Sequence, residues 1–192
     1  YYKRNPTGSQ IPSALNLTAF IEGFYNPASN NMISDTTYLY LRNNSFPYNI
    51  TDSSKGILNS SGTGVFNFLN AVNSVNYYLV IKHRNSIEIW SKNFVSFTSG
   101  TLTYDFSNSA SKAFGDNQKN VDSTPLRFAI YSGDVNQDGT IDAGDLSAIE
   151  NDAGISIFGY VSTDITGDDA VDASDISLVE NNALLGVNLM AP

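Results

Sequence analysis

The chain has 192 residues, one His, no Cys and a formal net charge of −9, with a pI near 4.3. Only 15% of the residues are charged and 12% are aromatic, which excludes a disordered chain, because disorder needs high charge and few aromatics. The acidity argues against a nucleic-acid partner, and the lack of Cys excludes disulfides and thiolate zinc sites. No apolar run approaches the length of a membrane span.

The first fourteen residues have no strand or helix pattern and contain Pro, Gly and Ser. The chain begins at Tyr1 rather than Met, so we expect a processed product, as removal of a signal peptide would give. Such a tail is ordered only when something binds it, and its Lys3–Arg4 pair is basic. We predict that residues 1–14 form a tail that can dock head-to-tail on a neighbouring copy.

Residues 15–131 have the alternation and the β-branched or aromatic content of strands, separated by turn residues. The expected strands are 15–22, 37–42, 64–69, 77–82, 86–91, 94–97, 101–106 and 126–131. Seven to nine short strands at this spacing predict a mainly β fold. We expect an antiparallel β-sandwich, Ig-like or transthyretin-like, over residues 15–131.

No residue of the sandwich is predicted to be catalytic. His83 ends a strand between two basic residues and is predicted to be structural, and Trp90 is predicted to pack in the core or at a sheet edge. Nothing in the spacing of the acidic residues selects a glycosidase pair. The carboxylates considered are Glu22, Asp52, Glu88 and Asp105. We therefore predict a protein that is not an enzyme, while the 11 Tyr and 11 Phe leave a carbohydrate-binding module as an alternative.

Charge divides the chain into two physical units. Residues 1–130 hold all ten bases and seven acids, a net charge of +3, whereas residues 131–192 hold twelve acids and no base, a net charge of −12. The acidic part also contains many aliphatic residues, so it is expected to fold rather than form a solvated tail. Because the carboxylates repel one another, a hard divalent cation is the simplest source of the missing positive charge.

Residues 134–145 place oxygen-bearing side chains at the spacing of a calcium-binding loop. Positions 1, 3, 5, 9 and 12 are Asp134, Asn136, Asp138, Asp142 and Asp145. Gly139 occupies the sharp turn at position 6, and Thr140 offers its backbone carbonyl at position 7. We expect Asp142 to act through a water and Asp145, which replaces the usual Glu, to be bidentate. Ile141 at position 8 is expected to anchor the loop to a second one.

The pattern recurs thirty residues later, with nine of twenty aligned positions identical between 134–153 and 164–183. The second set of ligands is Asp164, Thr166, Asp168, Ala170, Asp172 and Asp175, where Ala170 offers its carbonyl. Thr166 replaces an amide, and Asp169 replaces the turning glycine at some backbone cost. We therefore predict two Ca²⁺ sites, the second of which binds less tightly.

The two D-x-[N/T]-x-D-x-x-[I/V]-D-x-x-D loops, each followed by a predicted helix over 143–153 or 173–184, resemble a type I-like dockerin. The resemblance covers residues 132–192. It implies a small calcium-folded module of a secreted, multimodular bacterial protein. In that family, dockerins bind cohesins and so attach enzymes to scaffolds, which makes cohesin tethering one expected function.

The positions of cohesin recognition depart from the family's pattern. Ala143–Gly144 and Ala173–Ser174 stand where Ser-Thr is common, and Glu150–Asn151 and Glu180–Asn181 stand where the family often carries Lys or Arg. Dockerin-like repeats also serve as rigid calcium-stapled ends beside a β-domain, and we favour that use. The block 15–96, chiefly through its stretch 76–91, resembles β-modules that precede such repeats in secreted bacterial surface proteins, which implies no catalytic activity.

Together these features predict a non-catalytic, extracellular, calcium-binding structural or adhesive protein. The preferred form is a subunit of a cell-surface assembly or fibre, with other copies of itself or another secreted protein as partner. The alternatives are a cohesin-tethering dockerin and a carbohydrate-binding module. Since the loop carboxylates repel one another without metal, we expect chelation to loosen residues 132–192 first while the sandwich survives.

Overall fold

The computed structural model describes residues 11–192, so the predicted docking of Tyr1, Tyr2 and the Lys3–Arg4 pair lies outside the described residues. Within that range the strands come first and two α-helices follow. The strands are β1 (Ser13–Thr18), β2 (Tyr25–Asn26), β3 (Asn31–Met32), β4 (Asp35–Asn43), β5 (Ile50–Leu58), β6 (Thr63–Phe68), β7 (Tyr77–His83), β8 (Ser86–Trp90), β9 (Thr101–Asp105), β10 (Lys119–Ser123) and β11 (Leu126–Ala129). The helices are α1 (Ala143–Gly154) and α2 (Ala173–Leu184), and single 3-10 turns lie at Glu22–Phe24, Ala110–Lys112 and Phe114–Asp116.

Two sheets form the sandwich that the sequence predicts. The first is antiparallel, in the order β5-β4-β7-β8, and the second has the order β6-β1-β9. Leu15 and Leu17 of β1 and Leu39 and Leu41 of β4 are at most 2% exposed and belong to one core. One pair departs from the expected antiparallel arrangement, because β9 runs parallel to β1. The chain reaches β9 from the opposite sheet, which lets it arrive in the same direction as β1.

Several predicted strand limits differ from the observed ones. β1 begins at Ser13, inside the predicted tail, and ends at Thr18, four residues before the predicted limit; a 3-10 helix then begins at Glu22. Residues 94–97 form only isolated bridges. β5 was not predicted, because its sequence, Ile-Thr-Asp-Ser-Ser-Lys-Gly-Ile-Leu, is mostly polar at an edge of the sheet.

The two helices match the predicted ones and pack on the sandwich. Ile149 of α1 and Val179 of α2 are fully buried in the same cluster as Phe24 and Ile130 of the sandwich. The approach is close at Gly23, where a Cβ atom would lie 2.0 Å from the carbonyl oxygen of Ile165. Residues 15–131 and 132–192 therefore share one continuous core, although their charges differ.

The segment after α2 returns to the sandwich as a strap of residues 187–190. The Leu189 amide donates to the Gly139 carbonyl over 2.7 Å, and the Asn117 side-chain amide donates to the Asn188 carbonyl over 2.8 Å. Met190 forms a parallel bridge with Ile89 of β8. The strap thus joins the first acidic loop to two parts of the sandwich.

Within residues 11–192, no helix is both long enough and apolar enough to cross a membrane.

Candidate metal centre

Each acidic loop leads directly into a helix, and two of its carboxylates make that helix begin. Asp142 accepts from the Gly144 amide over 2.7 Å, while Asp145 Oδ2 accepts from the Asp142 amide over 3.0 Å, which forms a capping box at the start of α1. Asp172 and Asp175 make the same arrangement at α2. Positions 9 and 12 of each loop are therefore fixed by helix capping.

Positions 1 and 12 bring two carboxylates into the interior of each loop. Asp134 and Asp145 are 2% and 0% exposed, and Asp164 and Asp175 are 1% and 0% exposed. Asp145 Oδ1 accepts from the Val135 and Asn136 amides over 2.8 and 3.2 Å. Backbone amides partly satisfy these oxygens but bring no full positive charge to the buried acids.

Burial and like charge perturb these acids. Burial, followed by the charge of Asp145, raises the pKa of Asp134 to about 6. Burial also raises the pKa of Asp145 in spite of its three amide donors. The pKa of Asp164 is likewise raised by burial, while nearby amides and Arg84 act in the opposite direction. Burial thus disfavours the charged forms of Asp134, Asp145 and Asp164, which a bound cation would favour.

The turn positions adopt the backbone that the calcium-loop pattern requires. Gly139 has φ +89°, and Asp169, which replaces glycine at the same position, has φ +69°. A non-glycine residue in this left-handed region is strained, and Asp is among those that tolerate it best. Gln137 and Gly167, at position 4 of the two loops, are also left-handed, with φ +60° and +75°.

Ile141 and Val171, at the eighth positions of the two loops, are both buried in the same core cluster. The Ile141 amide donates to the Val187 carbonyl after α2, and the Val171 amide donates to the Ile157 carbonyl after α1. Each loop is therefore tied to the segment that follows the other repeat's helix. The reason is topological, since each exit segment returns beside the opposite loop.

The β7–β8 turn of the sandwich contacts both loops. The Gly133 amide donates to the Asn85 carbonyl over 2.7 Å, and the Asn85 side-chain amide donates to the Asp164 carbonyl over 2.8 Å. Arg84, in the same turn, has Nη2 3.8 Å from Asp164 Oδ2. The sequence pattern gave no sign of these contacts, because the partners are far apart in the chain.

The other residues considered from the sequence have structural partners. His83 is 2% exposed, with Nε2 3.1 Å from Asp35 Oδ2, and Trp90 is 5% exposed and donates to Glu88. The remaining acids make separate contacts and do not form a pair. Glu22 accepts from Asn182, Asp52 from Asn70, and Asp105 from Ser107 and Asn108.

Across residues 11–192, no three His, Cys, Asp or Glu side chains are already gathered around a common point as metal ligands. The loop carboxylates instead accept hydrogen bonds from their own loops, as at Asp134, which accepts from the Asp138 and Gly139 amides. The donor set nevertheless fits a hard cation, because it consists of carboxylate, amide, hydroxyl and carbonyl oxygens. The buried carboxylates of the loops also fit a hard cation, because backbone amides alone do not balance their negative charge.

Comparison with known proteins gives one family match, and it lies in the acidic part of the chain. The family model described as the dockerin type I domain matches residues 132–184, which supports a C-terminal dockerin. Dockerin domains are generally calcium-binding. No curated protein matches the chain.

Among solved structures, a chain from a C-terminal interface mutant of a type II cohesin–X–dockerin complex of Acetivibrio cellulolyticus is similar to this chain. The identity is 16%, the match covers 88% of this chain and 94% of that chain, and the TM-score is 0.51. A chain from the N-terminal interface mutant of the same complex is similar with 17% identity, coverage of 89% and 92%, and a TM-score of 0.47. The first match supports the fold, a β-sandwich followed by a dockerin.

Proposed function

We propose that this protein is a non-catalytic, extracellular, calcium-binding module that joins a cell-surface assembly through protein contacts. The observation that carries the proposal is the pair of acidic loops within the dockerin match at 132–184, each with two buried carboxylates. A module that gains its charge balance from calcium and presents two helices is suited to binding a protein partner.

In this proposal residues 15–131 are a β-sandwich domain and residues 132–192 are the calcium-binding module. The first site takes its oxygens from Asp134, Asn136, Asp138, Thr140, Asp142 and Asp145, and the second from Asp164, Thr166, Asp168, Ala170, Asp172 and Asp175. Bound calcium would supply the positive charge that the inner carboxylates lack. The loop residues orient the oxygens, and the capping boxes transmit their positions to α1 and α2.

The proposed docking face is the groove between the start of α1 and the end of α2. It has a volume of about 430 Å³ and includes Leu146, Glu180 and Leu184, and Leu184 is 86% exposed. An exposed leucine of this kind is well suited to a protein interface. The dockerin match and the similarity to a chain of a cohesin–X–dockerin complex support a cohesin-type partner.

A second copy of the chain is the other candidate partner, and charge favours it. The outer face of the β5-β4-β7-β8 sheet carries Arg42, Lys55 and Lys82 among tyrosines, with Lys55 over the ring of Tyr38 at 5.0 Å. The helical module has no base at all. The basic sheet face of one copy and the acidic helices of another are therefore complementary, and such a head-to-tail contact extends into a chain of subunits if it does not close.

Protein partners are favoured over a glycan by the packing of the aromatic cluster on that sheet. The Tyr78 and Trp90 rings meet nearly edge to face, with centroids 5.7 Å apart and planes at 65°. Trp90 is 5% exposed, and Arg42 lies 5.0 Å from its ring centre. Sugar rings stack on open aromatic faces, whereas these rings are covered by one another.

Binding to immobilised cohesin domains and sedimentation velocity test the proposal, each in calcium and again in EGTA. Calcium-dependent cohesin capture that is lost in Leu184→Asp, with Ile57→Asp on the sandwich as an exposed control, supports the helical docking face. Concentration-dependent association lost in a Lys55→Glu/Lys82→Glu variant supports copy-to-copy contact. The proposed function is contradicted if the protein neither binds cohesin nor self-associates and if calcium does not change its stability.

A further inference from the structure

The guanidinium of Arg84 lies between a carboxylate of the sandwich and a carboxylate of the second acidic loop. Its Nε donates to Asp35 Oδ2 over 3.0 Å, and its Nη2 lies 3.8 Å from Asp164 Oδ2. Nη1 donates to the carbonyls of Val161 and Asp164. The side chain is only 15% exposed, so water screens these interactions weakly.

Asp35 and Tyr160 hold this guanidinium in place. Asp35 is 6% exposed and accepts from the Tyr160 hydroxyl over 2.6 Å, while His83 Nε2 lies 3.1 Å from its Oδ2. The Tyr160 ring centre lies 4.3 Å from the guanidinium carbon of Arg84. Arg84 is thus held by Asp35 of the sandwich and by Tyr160 of the segment that precedes the second loop.

Within residues 11–192, no cation equivalent to Arg84 pairs with the first loop. Among the described residues Asp134 makes no salt bridge, and the sandwich meets the first loop through neutral contacts only. These are the Asn85 carbonyl, which accepts from Gly133, and the Ser86 carbonyl, which accepts from Gln137 over 3.3 Å. The duplicated loops are therefore similar in sequence but differ in charge environment, and the difference lies outside residues 132–184.

We propose that Arg84 is a built-in counter-ion of the second loop, which replaces part of the charge of calcium there and competes with it. The guanidinium cannot lose its proton, so its charge is permanent. It stabilises Asp164 when calcium is absent and repels a cation bound by the same carboxylate. The second loop thus keeps its shape at low calcium and binds calcium less tightly. This inference rests on the proposed calcium sites.

The test is a calcium titration of the whole chain followed by NMR, in which the Gly139 and Gly167 amides report the first and second loops separately. Arg84→Met removes the charge and keeps most of the hydrophobic stem. Arg84→Lys restores a charge without the guanidinium shape. Lys92→Met is the matched control, because Lys92 pairs with Asp116 within the sandwich. Thermal unfolding in EGTA is measured for each protein.

We expect Arg84→Met to bind calcium roughly tenfold more tightly at the second loop, since the repulsion between the guanidinium and the bound cation is removed. The calcium affinity of the first loop should not change. In EGTA the same variant should melt lower than Lys92→Met, and Arg84→Lys should lie near wild type in both measurements. Unchanged or weaker second-loop binding in Arg84→Met overturns the inference, as does an Arg84→Lys variant that behaves like Arg84→Met. A wild-type protein without any calcium response refutes the proposed sites instead.

Discussion

The side-chain amide of Asn182 donates to Glu22 Oε2 over 2.6 Å, and this contact fastens α2 to the sandwich. The same amide donates to the Ser132 carbonyl over 2.8 Å, and the Ser132 amide donates to Glu22 Oε2 over 3.1 Å. Asn182 is fully buried. The three residues come from the sandwich, the junction and the last helix, so a single local network connects the two parts of the molecule.

Asn182→Ala should lower the free energy of unfolding by about 2–3 kcal/mol, because it leaves the Glu22 carboxyl group, whose side chain is 8% exposed, and the Ser132 carbonyl each with one donor fewer. The neighbouring Asn181 is exposed, and Asn181→Ala is the matched control, with an expected change within about 0.5 kcal/mol. Urea denaturation in saturating calcium measures both. Equal losses of unfolding free energy in Asn182→Ala and Asn181→Ala would show that this network does not hold α2 to the sandwich.

Gly23→Ala should separate the second loop from the sandwich, because the new methyl group would meet the Ile165 carbonyl at 2.0 Å and Leu178 at 2.9 Å. We expect a loss of several degrees in Tm and of second-site calcium affinity. Gly154→Ala is the control, since a Cβ there has no neighbour within 4 Å and the residue is helical. If Gly23→Ala binds calcium at the second site as tightly as wild type, the close packing of Gly23 against Ile165 does not support that site.

Asp138 and Asp168 form a matched pair for ranking the two sites, because both are exposed and occupy position 5 of their loops. Calorimetric titration of Asp138→Ala should lose the tighter binding step, and that of Asp168→Ala the weaker one. These positions are preferable to Asp145 and Asp175, which also cap the helices. If the calcium affinity that remains is the same in both variants, the prediction that the first site binds more tightly than the second is wrong.

Chelation should raise hydrogen exchange first in residues 132–184, and more in the first loop than in the second, where Arg84 still lies beside Asp164. The shared core adds a second expectation, because Ile149 and Val179 belong to the same buried cluster as Phe24. EGTA should therefore also lower the melting temperature of the sandwich. The measurement is exchange followed by mass spectrometry, and uniform protection in calcium and EGTA would contradict the coupling.

Asp35 should make stability depend on acid pH. Burial by itself would raise its pKa, but hydrogen bonds involving His83, Tyr160 and Arg84 outweigh burial and hold the pKa of Asp35 well below its usual value. Its contribution is therefore complete above the unfolded pKa of about 4 and is lost as the pH falls towards the folded value. Asp35→Asn should cost about 3 kcal/mol at pH 7, and the gap from wild type should narrow below pH 4.

Urea unfolding of wild type and Asp35→Asn between pH 7 and pH 3 checks this dependence. Asp116→Asn serves as a surface control, since the Asp116 side chain is 57% exposed. A gap between wild type and Asp35→Asn that stays constant down to pH 3 would mean that the charge of Asp35 is not what stabilises the fold.

Local patterns made the acidic loops and their helices predictable. The proposed ligands, the turning residues and the capping carboxylates all lie within twelve consecutive residues, so their spacing carries the information. The strands with alternating apolar residues, such as β4 and β6, were predictable for the same reason. Their inward side chains are buried because alternation places them on one face.

Long-range features could not be predicted in this way. β5 is polar, and nothing in its own sequence indicates that β4 pairs with it. The parallel pairing of β1 with β9 depends on the path of the chain between them. Arg84 contacts a loop that begins eighty residues later, and no local spacing relates it to Asp164.

The strap of residues 187–190 gives the first loop a mechanical role. Traction applied at Pro192 would be carried first by the bridge from Met190 to Ile89 and by the hydrogen bond from Leu189 to Gly139. Peeling the strap would remove the partner of Ile141 at Val187 and free one side of the first loop. Tension applied at Pro192 would thus break contacts of the first loop before it disrupted the sheets of the sandwich.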